Sequence, residues 1–429
     1  MGEKVREGIK KIEELFRGGF FHILIGNTLT KMLTFLSSIV IVRLVSKESY
    51  AYLTYSDNLY LYVIAVSGLG MSSGILKYCG PQYKEEKDKA FLNYALSRGF
   101  LIELILSLAI VGYVWIADIP FPESKGLVSV MVLYPAMNYM VTTFQSYMRA
   151  RLDNRMFAKI ALVESASVLA ASVIFVTMLG IYGMAYSRYI AMGACCIIGA
   201  RFAVKQLGAC RAYKLERKEK RDFLSLSLSF MLASLFSMLM PINETFLINN
   251  LIGDEIVSAN YKVAMLIPSQ TMFVSNSIAV YYFAILNRIS DKRMLWKKIK
   301  KIELLSISII GFITLCGIFI FPFILKYIYG EKYMDCLGLS NVYWVVYGVN
   351  SGFRLIALNL IPAFGSAKIS AVVSVVSSIV HLCACYFVIP LYGVYGAAAV
   401  LGIIYILAGG VYWLYIYLFC NKESDRKSR

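Results

Sequence analysis

Apolar runs, separated by short clusters of charge or by Gly/Pro turns, follow one another along almost the whole chain. They fall at roughly 20–45, 51–76, 91–117, 126–148, 158–179, 184–204, 223–248, 256–283, 302–328, 337–363, 369–390 and 396–419. A helix needs about 20 mostly apolar residues to cross roughly 30 Å of hydrocarbon. The pattern therefore predicts twelve transmembrane helices in an all-α polytopic membrane protein. Pro135, Pro241, Pro268 and Pro322 interrupt these runs, and kinks there would let helices flex.

The two halves echo each other at an offset of roughly 210 residues. Gly180-Ile181-Tyr182-Gly183-Met184-Ala185 resembles Leu391-Tyr392-Gly393-Val394-Tyr395-Gly396-Ala397-Ala398, and both join the last two helices of a half. Ser46-Lys47-Glu48-Ser49-Tyr50-Ala51-Tyr52 likewise resembles Gly253-Asp254-Glu255-Ile256-Val257-Ser258-Ala259-Asn260-Tyr261, between the first two helices of each half. The expected organisation is an N-terminal segment (1–19), a six-helix lobe (20–206), a basic linker (207–222), a second six-helix lobe (223–420) and a tail (421–429). Six is even, so the halves enter the membrane from the same side. Parallel repeats of this kind build two pseudo-symmetric bundles around a shared cavity, which suits alternating access.

Composition agrees with lipid as the solvent: 59% of residues are hydrophobic and only 16% charged, against about 25% charge in soluble domains. The net charge of +17 would suggest nucleic acid, but its placement excludes that reading. Most of the 43 Lys and Arg lie in the N-terminus, 77–90, 149–159, 201–222, 284–301, 364–368 and the tail. The opposite connections hold only Lys47, Lys125, Lys326 and Lys332. The positive-inside rule puts both termini in the cytoplasm, with attraction to anionic membrane lipid as a by-product. Val5, Ile9, Ile12 and Phe16 share one face of 5–16, which reads either as a helix lying on the inner surface or as a frayed tail. No small-residue cleavage site follows a short apolar core, so the first apolar segment is expected to stay in the mature protein.

The nine cysteines form no CxxC pair, and His22 and His381 sit alone in the sequence, so both histidines read as packed or interfacial and no metal is expected. No phosphate-binding GxxxxGK[ST] occurs, and Gly68-Leu69-Gly70-Met71-Ser72-Ser73-Gly74 departs from GxGxxG. No nucleophile–base–acid set is recognisable either. The expectation is a transporter rather than an enzyme, without cofactor, driven by an ion gradient, the membrane potential or substrate turnover.

Charges within the spans carry the functional signal. Lys31, Arg43, Arg98, Arg188, Lys262 and Arg354 lie there with Asp57, Glu103, Glu164 and Glu244. A central charge facing lipid costs about 2.5–3.5 kcal/mol on the insertion scale, so these groups should face protein or water. In the first span Asn27, Thr30, Lys31, Thr34 and Ser38 fall within about 60° of one direction, whereas Arg43 points away and should snorkel. Similar stripes are Ser258, Lys262, Ser269 and Asn276; Ser340, Tyr343, Tyr347, Asn350, Ser351 and Arg354; and Tyr134, Asn138, Thr142 and Gln145. Cations at several depths suit a pyrophosphate; amides, hydroxyls and rings suit sugars. The substrate candidates are thus Lys31, Lys262, Arg354, Arg98, Arg188, Asn27, Asn138, Tyr347 and Asn350. Each cation could instead pair with a carboxylate, Lys31 with Asp57 or Lys262 with Glu244. Asp57, Glu103, Glu164 and Glu244 are proton or sodium couplers or ion-pair partners.

Gly26-Asn27 through Lys31, Arg43-Leu44, Glu48-Ser49-Tyr50, Asn243-Glu244, Asn260-Tyr261-Lys262-Val263-Ala264, Tyr329-Gly330-Glu331-Lys332-Tyr333 and Ile389-Pro390 through Ala398 span almost the full chain. Together they resemble the polysaccharide transporter family, the Wzx-type O-antigen and capsule flippases. The resemblance implies the fold of the multidrug/oligosaccharidyl-lipid/polysaccharide (MOP) exporter superfamily, with twelve helices in two MATE-like lobes around a V-shaped cavity. It also implies passage of an undecaprenyl-pyrophosphate-linked oligosaccharide repeat unit from inner to outer leaflet for O-antigen, capsule or exopolysaccharide synthesis. A polysaccharide polymerase and a chain-length regulator are candidate partners. Ala51 stands where that family usually has glycine, and Glu244 where aspartate is common, which leaves ion coupling open. A cation-coupled multidrug exporter and a lipid II-type flippase of the same superfamily are the alternatives. The first would want a more acidic lumen, and the second an extension beyond twelve spans.

Overall fold

The computed structural model describes residues 20–207, 213–286, 289, 291–361 and 367–421, without the side chains of 20–27, 233–234, 237, 280–281, 283–285 and 367–368. The surface helix expected over 5–16 and the tail beyond Asn421 lie outside the described residues.

All described elements are helical. In chain order they are α1 (Phe20–Leu44), α2 (Lys47–Val66), α3 (Met71–Tyr78), α4 (Glu85–Ile116), α5 (Ser124–Val130), α6 (Tyr134–Ala150), α7 (Asn154–Leu179), α8 (Tyr182–Leu207), α9 (Arg217–Ile252), α10 (Glu255–Leu266), α11 (Thr271–Leu286), α12 (Lys292–Ile324), α13 (Leu337–Val349), α14 (Leu355–Leu360) and α15 (Ala367–Asn421). The described residues of each apolar run are largely helical, with turns at 67–70 and 131–133. By length and composition, six described stretches can cross a membrane, seven with the α5–α6 pair bent by 42°. Two prolines act as breaks, Pro135 in the first turn of α6 and Pro268 opening a short 3-10 turn between α10 and α11. Pro241 and Pro322 sit inside α9 and α12.

The repeat seen in the sequence has a physical counterpart in each half. Ser46 caps α2 by accepting the Ser49 N–H at 3.2 Å, and Asp254 caps α10 by accepting the Val257 N–H at 2.9 Å. Gly180 turns the chain between α7 and α8 at φ 58°, ψ −140°. Gly393 divides α15 into two helices at φ 59°, ψ −148°. Only glycine adopts that region freely, which explains why both turns are built around it.

The chain divides into two compact units, Met1–Leu235 and Phe236–Arg429. The division falls inside α9 and not in the 207–222 linker. The reason is aromatic packing: Phe223 is fully buried, with ring centroids 5.3 Å from Phe91 and 5.4 Å from Tyr78, so the start of α9 belongs to the first unit's core. That core also holds Met71, Leu92, Phe144, Tyr147, Met192 and Phe202. The second unit is centred on Leu295, Ile299, Ile356, Leu360, Tyr412 and Ile416. Large apolar side chains such as Phe312, Phe319 and Leu391 are exposed, as lipid permits. With no hydrophobic contrast to sort helix faces, small residues decide the contact: Gly317 of α12 receives the Trp344 ring, where an added Cβ would lie 2.5 Å from it.

Candidate functional site

The first unit contains a partly open cavity of about 330 Å³. It is lined by Thr30, Thr34, Ser37 and Ser38 of α1, Tyr50, Thr54 and Asp57 of α2, Tyr134 of α6, Glu164 and Ser165 of α7, and Arg188 of α8. Arg188 grips Asp57 through both guanidinium nitrogens, with Nη2 at 2.7 Å from Oδ2. The guanidinium also lies 5.0 Å from the centre of the Tyr134 ring. Such a bidentate, stacked geometry is open to arginine and not to lysine. Gln145 of α6 donates to Glu164 at 3.4 Å.

Four of the lining hydroxyls are committed to their own helices, whereas those of Thr30 and Ser37 have no hydrogen-bond partner among the described residues. Thr34 donates to the Thr30 carbonyl at 2.8 Å, Ser38 to Phe35 at 2.7 Å, Thr54 to Ala51 at 3.0 Å and Ser165 to Ala161 at 3.1 Å. With their hydrogens used by their own helices, these oxygens offer lone pairs. The cavity is therefore rich in acceptors, with two carboxylates and one guanidinium, and can take a ligand rich in hydroxyl donors.

The second unit contains a buried polar cluster. Glu244 of α9 accepts the hydroxyls of Tyr261 (α10) at 3.1 Å and Tyr343 (α13) at 3.0 Å on Oε1. The His381 imidazole of α15 stands 3.2 Å from Oε2, and Cys385 Sγ lies 3.5 Å from the same ring nitrogen. All these side chains are buried. Beside them Lys262 donates to Thr245 at 2.7 Å and lies over the Tyr261 ring at 5.4 Å. Arg354 closes a π-helical turn, Asn350–Arg354, between α13 and α14. It is 8% exposed, donates to Asn350 Oδ1 at 3.0 Å and lies 5.0 Å from the Tyr405 ring centre. No carboxylate pairs with it, and its Nε has no hydrogen-bond partner, among the described residues.

The structure thus gathers Arg188, Asp57 and Glu164 in the first unit, and Glu244, Lys262, Tyr347, Asn350 and Arg354 in the second, Tyr347 by a 5.9 Å ring contact with Tyr343. Lys31 is exposed on α1, outside the cavity that its neighbours Thr30 and Thr34 line. Asp57 is paired by Arg188 and not by Lys31. Arg98 is exposed on α4, and Asn138 is half-buried with its carbonyl taking the Thr142 hydroxyl. The Asn27 side chain lies outside the described residues. Glu103 stands apart from both clusters and binds the backbone of Gly68 at 2.6 Å. Sequence reasoning missed His381 as a partner of Glu244. A lone histidine in an apolar run reads as packed or interfacial, and nothing in its sequence neighbourhood points to α9. Among the described residues no three His, Cys, Asp or Glu side chains gather as a metal site.

Comparison with known proteins places this geometry. Residues 16–283 match the family model described as polysaccharide biosynthesis protein. A protein of Shigella flexneri described as an O-antigen transporter is 26% identical over 185 residues, covering 43% of this chain and 44% of that relative. Among solved structures, an inward-facing multidrug resistance MATE family transporter of the MOP superfamily matches with a TM-score of 0.70 at 14% identity, over 94% of this chain and 99% of that one. A MOP superfamily transporter from Pyrococcus furiosus, with a binding pocket of reversed polarity, matches at 0.63 and 13% identity, over 94% of each chain. The family match covers more than half of the sequence and the structural matches, which share the fold, cover nearly all of it: the chain belongs to the polysaccharide biosynthesis protein family.

Proposed function

We propose that this protein carries a lipid-linked oligosaccharide, joined through undecaprenyl pyrophosphate, from the inner to the outer leaflet of a bacterial inner membrane by alternating access. Both termini face the cytoplasm in this reading, and a polymerase and chain-length regulator act on the delivered unit. The observation that supports it most is Arg354, a buried guanidinium whose neighbours are the neutral Asn350 and Tyr405. A fixed cation at low dielectric, with a nitrogen to spare, is what a phosphorylated passenger needs. The acceptor-rich cavity of the first unit suits sugar hydroxyls. In this reading an ion gradient or the membrane potential supplies the energy, with Asp57, Glu164 and Glu244 as candidate coupling acids.

The test is Arg354→Ala, with Lys31→Ala beside it. Both should accumulate lipid-linked repeat units on the inner leaflet and reduce surface polysaccharide. Normal surface polysaccharide from well-expressed variants removes those residues from the mechanism. The alternative, a cation-coupled drug exporter, draws on the likeness to multidrug transporters and on Glu164 in the cavity. Raised drug sensitivity in a deletion strain with unchanged surface polysaccharide would favour it.

A further inference from the structure

The second span is broken between α2 and α3 in a way that neither binding nor coupling requires. Ser67, Gly68, Leu69 and Gly70 take φ of 47°, 57°, 57° and 75° in succession. Ser67 and Leu69 do so against the steric preference of residues that carry a Cβ. A broken helix inside a membrane protein must find partners for the amides it frees. The Gly70 N–H donates to Val66 at 3.0 Å and to Ser67 at 2.9 Å, and the Ser67 and Ser72 hydroxyls meet at 2.6 Å across the break. The Gly68 N–H has no such local acceptor; it donates to Glu103 Oε1 of α4 at 2.6 Å. Glu103 is fully buried, and its other oxygen is without a hydrogen-bond partner among the described residues.

The packing around the turn is smooth on both sides. Tyr139 of α6 lays its ring on Gly68 and Gly99, where an added Cβ would come within 2.5 and 2.1 Å of it. Its hydroxyl donates to the Ala95 carbonyl of α4 at 2.8 Å. On another side α9 approaches Gly70 and Gly74, whose added Cβ atoms would lie 2.1 Å from the Ser227 carbonyl and 2.3 Å from its hydroxyl. Phe223 and Ser227 thus seat the start of α9 closely on α3, with the Phe223 ring 5.4 Å from Tyr78, so the two segments would move together. This same α9 continues into the second unit.

We infer that Ser67–Gly70 is a hinge of the transport cycle and that Glu103 is the positioning residue that latches it, releasing α3 to swing with the start of α9. The inference rests on the alternating-access reading. It needs Glu103 as a hydrogen-bond acceptor and not as a charge, which sets it apart from the coupling acids.

The experiment compares Glu103→Gln, which keeps an acceptor oxygen, with Glu103→Leu, which keeps volume alone; Glu103→Met replaces the leucine variant should that not be recovered as monodisperse protein. Hydrogen–deuterium exchange of the 64–75 segment in purified protein reads the latch, and surface polysaccharide reads transport. We expect at least tenfold faster exchange in the leucine variant with surface polysaccharide lost, and near wild-type behaviour of the glutamine variant in both. Unchanged exchange in the leucine variant would overturn the latch. So would lost transport in the glutamine variant with exchange intact, since Glu103 would then act through its charge. A fast-exchanging leucine variant that transports normally would show that the hinge is no part of the cycle. The exchange result needs no substrate, so failure of the lipid-linked reading would leave it standing and strip meaning only from the transport arm.

Discussion

The Glu244 carboxyl and the His381 imidazole, contributed by α9 and α15, stand 3.2 Å apart in a fully buried pocket of the second unit. Tyr261 and Tyr343 complete the surroundings of the carboxyl by donating to its other oxygen. Removing one partner of such a pair strands the other without water to solvate it. We expect His381→Ala to cost about 1–3 kcal/mol of stability, and the double variant Glu244→Gln/His381→Ala to recover part of that loss. Thermal unfolding of the purified protein in detergent provides the double-mutant cycle, and additive losses would mean that the two groups do not interact.

Arg188→Lys should behave almost as badly as Arg188→Leu. Lysine keeps the charge but cannot hold both oxygens of Asp57 while placing a planar cation over the Tyr134 ring. Surface polysaccharide, normalised to protein in the membrane, checks this; full activity of the lysine variant would show that charge alone suffices in the cavity.

Gly180→Ala and Gly393→Ala should each destabilise by about 1–3 kcal/mol, because each places a Cβ on backbone at φ near +58°. The glycines belong to different units, so the losses should add. Unfolding midpoints of the two single variants and the double variant test both statements.

Outside the membrane, Lys87 pairs with Glu219 at 2.7 Å next to the Tyr213 hydroxyl. The hydrogen bond from Lys87 holds the Glu219 carboxyl below its ordinary value, with the Glu216 N–H and Tyr213 hydroxyl adding to it. A carboxylate depressed on folding lends stability that is present above its unfolded value and lost as pH falls through its folded value. Glu219→Gln should therefore lower stability slightly at neutral and alkaline pH, leave it nearly unchanged below the folded value and so flatten the acid limb, the effect staying small for a pair that solvent still reaches. An acid limb identical to that of wild type would show that the contact contributes nothing.

The helical spans, the matching turns of the two halves and the presence of charge within the spans were legible in the chain. Crossing hydrocarbon demands long apolar helices, and turns such as Gly180 and Gly393 demand glycine, whatever the rest of the fold does. These are one-dimensional constraints, so they can be read one segment at a time. The polar stripe of the first span was legible too, although Thr30, Thr34 and Ser38 line a cavity within the first unit while Lys31 stands outside it.

Partnership was not legible. Asp57 could have met Lys31 or Arg188, and Glu244 could have met Lys262; which cation or imidazole reached which acid depended on how helices far apart in sequence rotate against one another. That rotation is fixed by small-residue contacts such as Gly99 under Tyr139 and Gly317 under Trp344. In a chain where nearly every helix face is apolar, hydrophobicity cannot choose among rotations. Sequence by itself determined that the chain spans the membrane and carries sheltered charge. Only tertiary packing decided that Arg188 is spoken for by Asp57, that Arg354 has no carboxylate among the described residues, and that Glu103 holds a broken helix together.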